Sequence, residues 1–129
     1  MTNGTIAFDT LTTSDSVNTG TEKSIDTSYI FNGVAKAWCQ HAAGTNLDSF
    51  NISGITDNGT GNFTLAFSNN MSSALYSCTF GNAKTGNFVC AYNDGQFTAT
   101  GFNMTCFGYN GASLADPDHA TAQVVGDLA

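Results

Sequence analysis

The chain has 129 residues, 41% of them hydrophobic and only 10% charged, which suits one compact core and not two. Ten acidic residues stand against three lysines and no arginine, for a formal net charge of -7. A nucleic-acid partner is excluded on that balance, because phosphate binding needs clustered cations, and anionic membrane surfaces are disfavoured for the same reason.

Gly, Asn, Thr and Ser number 14, 14, 18 and 11, together 57 of 129 residues. These types favour turns and strands over helix interiors, since short polar side chains compete for backbone hydrogen bonds and glycine loses extra entropy. Ten Phe, four Tyr and one Trp argue for a folded chain, because disordered ones are depleted in aromatics. No apolar run approaches the roughly 20 residues needed to cross a bilayer. The start MTNGTIAFDT lacks a positive n-region, so a soluble protein kept in the compartment of its synthesis is expected.

Residues 1–28 read as an extended arm. Ile6 to Phe8 is a short apolar stretch, Leu11 follows it, and the remainder is polar with few anchors. Arms of this kind dock as an added strand on a neighbour, so Ile6, Phe8 and Leu11 are the candidate partner-binding residues.

Residues 29–129 read as an all-β domain, an antiparallel β-sandwich or jelly-roll-like fold of seven or eight strands with no helix. Period-2 alternation starts at Tyr29. In AKAWCQH it puts Ala35, Ala37 and Cys39 on one face and Lys36, Trp38 and Gln40 on the other. Phe50 and Ile52 share the spacing, as do Phe63, Leu65 and Phe67, then Tyr76, Cys78 and Phe80. Phe88, Cys90 and Tyr92 follow, and then Phe102, Met104, Cys106 and Gly108, with a last strand at Thr121 to Val125. Turns are expected at 57–62, at 81–86 and at Asn93-Asp94-Gly95, where Gly and Asn supply the positive φ of tight hairpins.

The chemistry-bearing residues make no catalytic set. Cys39, Cys78, Cys90 and Cys106 each lie in phase with apolar neighbours, and four buried free thiols are expected; two disulfides, in any of three connectivities, are the alternative. Their gaps are too long for a zinc site. Cys39 and His41 share one strand face, yet the sequence shows no orienting acid and no oxyanion hole. Asp116, Asp118 and His119, and Asp57 with Asn58, read as turn residues and not as cation ligands, the sole glutamate being Glu22. Asp48 and Asp57 as a glycoside-cleaving pair fare no better, since every Asp sits in a turn-like context. Six Asn-x-Ser/Thr triplets carry no secretory signal with them and are not read as glycosylation sites. No catalytic residue, metal site or cofactor is expected.

The segment 49–78, SFNISGITDNGTGNFTLAFSNNMSSALYSC, resembles one that recurs in virion proteins of tailed bacteriophages, notably marine ones. Phe31-Asn32-Gly33-Val34-Ala35-Lys36-Ala37-Trp38 and the closing GDLA add to the resemblance. It implies a non-enzymatic virion component, assembled in the host bacterial cytoplasm, whose partners are the major capsid protein or other virion proteins. The four cysteines and the short length depart from the pattern and bear on which role is filled. A capsid decoration or cement protein, trimeric on the shell, is the first expectation. A tail-fibre or receptor-binding tip is the second, and would show exposed loop aromatics such as Tyr92, Phe97 or Tyr109. A small hydrolase is the third and has no sequence support.

Overall fold

The computed structural model describes residues 10–12, 24–83, 88–108 and 113–129, and of 11, 12, 24, 88 and 92–95 the backbone alone. The chain divides into two compact units, Met1–Val34 and Ala35–Ala129.

In the first unit, β1 (Thr10–Thr12) pairs antiparallel with β2 (Ser24–Asp26), Leu11 opposite Ile25. The helix α1 (Thr27–Gly33) follows at once. Asp26 is its N-cap, the carboxylate accepting from the Ser28 N–H at 2.8 Å, which satisfies one of the orphan donors of the first turn. At the other end the Val34 N–H donates to the Ile30 carbonyl at 3.1 Å. Extended structure from Tyr29 is therefore corrected: Tyr-Ile-Phe carries strand propensity and alternates, but Asp26 caps, and Gly33 ends, about two turns of helix.

The second unit is all antiparallel β, as the composition and period-2 pattern predict. Its strands are β3 (Ala35–Ala42), β4 (Thr45–Phe50), β5 (Ile52–Asp57), β6 (Asn62–Phe67), β7 (Ser77–Ala83), β8 (Phe88–Thr98), β9 (Gly101–Gly108) and β10 (His119–Val125). They form two four-stranded sheets, β4-β3-β10-β7 and β5-β6-β9-β8. Inner-face residues of both sheets meet in one core: Ala37, Cys39, Ala122 and Val124 from the first, Phe63, Leu65, Phe67, Phe102 and Met104 from the second. Phe80 and Phe102 stand 5.9 Å apart across the gap, and His41 and Phe63 4.8 Å. This is a β-sandwich.

Two hairpins have turn chemistry that suits their geometry, the first where the sequence places it and the second where the sequence gives no turn. Asp57 to Asn62 joins β5 to β6, with the Asp57 carboxylate accepting from the Gly59 N–H. Between β3 and β4, Ala43 (φ 43°) and Gly44 (φ 83°) both take positive φ, as a twist-matched two-residue turn demands.

Elsewhere the strands depart from the sequence expectation. Phe50 and Ile52 do not share a strand; they end β4 and begin β5, on opposite sheets, and Asn51 between them sits at φ 55°. Its side chain holds the crossing, donating to the Lys36 and Asn69 carbonyls at 3.0 and 3.1 Å while its oxygen accepts from the Asn69 N–H at 2.7 Å. Asn93-Asp94-Gly95 is not a hairpin turn. Those residues continue β8, whose pairing with β9 slips between Tyr92 and Phe97, and the reversal falls at Ala99-Thr100.

Gly61 fixes the loop after β9. Its N–H donates to the Asp116 carboxylate at 2.7 Å, its carbonyl accepts from the Cys106 N–H at 2.7 Å, and a Cβ there would fall on the Cys106 carbonyl oxygen. Cys90 and Cys106, register partners on β8 and β9, form a disulfide. Four free thiols are thus corrected to two: Cys39, buried, and Cys78, half-buried. Sequence phase placed all four on apolar faces but could not say that two of them stand opposite one another.

Candidate interaction surfaces

The expected site residues scatter. Ile6, Phe8 and Tyr109 lie outside the described residues. Leu11 is on β1, and Tyr92 lies within β8, on a strand and not on a loop. Phe97 is no exposed loop aromatic either. It is half-buried on β8, packed on the core 4.9 Å from Tyr76 and stacked 6.0 Å from Phe102.

The chemistry-bearing side chains are occupied structurally. Cys39 and His41 do share the inner face of β3, where burial pushes the Cys39 thiol up to about 11 and holds the His41 imidazole below its ordinary value. His41 Nδ1 already accepts from the Gly44 N–H at 3.3 Å, and its Nε2 has no partner. A thiol that hard to ionise is not a nucleophile at neutral pH. Burial likewise raises Cys78, to about 12, with Cys39 nearby adding to the effect. Asp48 and Asp57 lie on strands of different sheets, and Asp116 is spent on Gly61. Among the described residues no three Asp, Glu, His or Cys groups converge as metal ligands, and no helix is long and apolar enough to cross a membrane.

Two surfaces stand out among the described residues. On the first unit, α1 buries none of its seven residues. Tyr29 is 72% exposed and Phe31 67%, and Ile25 and Val34 on either side of the helix are exposed as well.

On the second unit, the outer face of the β4-β3-β10-β7 sheet is ruled by its register into two cross-strand rows. Phe50, Trp38, Gln123 and Thr79 form one; Asp48, Gln40, Thr121 and Gly81 form the other. A groove of about 410 Å³ runs over β3, β10 and β7 here, walled by Trp38, Gln40, Gln123, Thr121 and Thr79. A Cβ on Gly81 would meet the Thr121 hydroxyl at 2.7 Å, so the threonine leans over the glycine in the second row. The period-2 pattern puts Trp38 and Gln40 on one face of their strand, opposite Ala37 and Cys39; Thr121 and Gln123 carry the same alternation in HATAQVV, but the rows emerge only from which strands lie side by side.

No family model matches the chain, and no curated protein or solved structure matches it either.

Proposed function

We propose that the protein is a structural component of a phage particle, a capsid decoration protein that fastens to the outer shell through its N-terminal unit. The observation that carries this reading is α1: seven residues, none buried, with Tyr29 and Phe31 turned to solvent. So short a helix is not stable on its own hydrogen bonds, and a pair of three-residue strands is marginal too. Apolar side chains on such elements find their burial on another protein. The resemblance of 49–78 to virion segments supports a phage particle as the setting, and three copies around a local three-fold axis would place three such units on one shell site. The reading is non-enzymatic, in keeping with a Cys39 thiol sealed in the core.

The test is virion assembly in the presence of two variants, the deletion of residues 2–20 and the pair Tyr29→Ser with Phe31→Ser. The purified variants should melt like the parent chain, and both should be missing from particles purified on a density gradient. Quantitative gels of the parent should give a stoichiometry that matches the shell subunits. A few copies per particle would mean a tail fibre instead, and full occupancy by both variants would refute the role of this unit.

A further inference from the structure

The groove on the outer face of the β4-β3-β10-β7 sheet is built for a different ligand, and we infer that it binds a neutral saccharide, its sugar ring stacked on the Trp38 indole and its hydroxyls held by Gln40, Gln123, Thr79 and Thr121. The inference does not rest on the decoration role.

Sugars present two kinds of surface at once: a flat patch of C–H bonds on one ring face and a rim of hydroxyls that both donate and accept. The groove offers the complement of each. Trp38 is 39% exposed on the middle of the sheet with Phe50, 56% exposed, beside it in register. Large aromatics are usually core in a domain of this size, and this one stands outward between amides and hydroxyls. Gln40 and Gln123 are exposed, and among the described residues neither amide is held by a side-chain hydrogen bond. An amide supplies two donors and an acceptor, and a threonine hydroxyl supplies either, which matches the mixed demand of a diol.

Charge narrows the class. None of the residues that line the groove is ionisable except the buried Cys39, in a chain of net charge -7. Asp48 lies at the end of the second row, next to Gln40. A carboxylate there accepts from sugar hydroxyls and repels uronic or sialic acids, and Lys36, on the same face of β3 as Trp38, stands outside the groove lining, so the balance favours an uncharged ligand.

Size argues against a protein partner. The two rows span three strand spacings by one two-residue step, about 14 by 7 Å. A stable protein interface needs roughly 800 Å² from each side. The rows are instead the footprint of one or two hexose rings.

Trp38 is the sole tryptophan, so its emission reports the groove directly. The full chain is titrated with cellobiose and with lactose while that emission is followed. It is also run on native gels cast with hydroxyethyl cellulose, dextran or galactomannan, and with alginate as the anionic control. We expect a saturable emission shift with at least one disaccharide, retardation in at least one neutral gel, and none in alginate. Trp38→Ala should weaken retardation about tenfold or more, as loss of a central aromatic anchor does. Gln40→Ala with Gln123→Ala should weaken it several-fold while leaving the melting curve unchanged, which separates lost binding from lost folding. Three results overturn the proposal: no shift and no retardation with any neutral probe, retardation that survives Trp38→Ala, or an emission change that tracks protein concentration without sugar, which would mean that a second copy covers the face.

Discussion

Two aromatic residues of one chain, Phe63 and Phe31, show how differently its two units are held. Phe63 on β6 is fully buried, packed against His41 and surrounded by both sheets. Phe31 on α1 is 67% exposed. The sandwich satisfies itself, with inner faces paired and the crossing between sheets clamped by Asn51. The N-terminal unit has its cap and its hydrogen bonds but no fully buried side chain on α1. The same residue type thus serves cohesion in one unit and remains available to a partner in the other.

The contrast is sharpest in truncation. Phe63→Ala should cost about 3 to 5 kcal/mol, the loss of a fully buried ring plus the cavity it leaves. Phe31→Ala should stay within about 0.5 kcal/mol of the parent. Urea melts of the isolated chain followed by circular dichroism check both. A Phe31→Ala loss comparable to that of Phe63→Ala would mean that the helix is part of the cooperative fold and not a free surface.

A smaller effect tests whether the sandwich depends on a polar junction as well as on its core. Asn51→Ala should destabilise by about 2 to 4 kcal/mol, because it orphans the Asn69 N–H and the Lys36 and Asn69 carbonyls and also puts a Cβ-bearing residue with no local hydrogen bond at positive φ. Asn51→Gly relieves the second term and keeps the first, so it should fall between Ala and the parent. Equal melting of all three would show that the crossing is held by its flanking strands alone.

How much of this was legible beforehand divides along the same line. Strands with a buried inner face announce themselves: Phe63, Leu65 and Phe67, and Ala37 and Cys39, alternate in sequence because one side of each sheet is dry. What failed depended on pairing. Phe50 and Ile52 look like one alternating strand because period 2 is blind to a change of sheet, and Asn51, a residue type tolerant of positive φ, is one of many asparagines with nothing in the sequence to mark it as the corner. Asn93-Asp94-Gly95 has ideal turn chemistry, yet the cross-strand pairs on either side of it, Tyr92 with Met104 and Phe97 with Phe102, keep β8 on one partner. The groove was half legible. The alternation puts Trp38 and Gln40 together on the face opposite Ala37 and Cys39, while Gln123 and Thr79 reach them through β10, a strand some eighty residues further along the chain.

The smallest effect compares how the two units respond to acid. His41 in the core has its folded-state pKa depressed by burial from the ordinary 6.5, so its neutral form is the native one. Above pH 6.5 both folded and unfolded chains keep it neutral, and its contribution is fully present. As pH falls from 6.5 towards the depressed value, only the unfolded chain takes up the proton, and stability drops by at most about 1.4 kcal/mol per pH unit before levelling off. Asp26 at the helix cap behaves in the same sense in a lower window. The hydrogen bonds from Ser28 hold its carboxylate below the ordinary 3.8, so the cap weakens only as pH falls under that value. Melts between pH 7 and 5 should therefore register the sandwich and not the cap. His41→Gln, which keeps an acceptor for the Gly44 N–H but cannot titrate, should flatten that limb. A slope unchanged in His41→Gln would assign the acid response of the sandwich to another group.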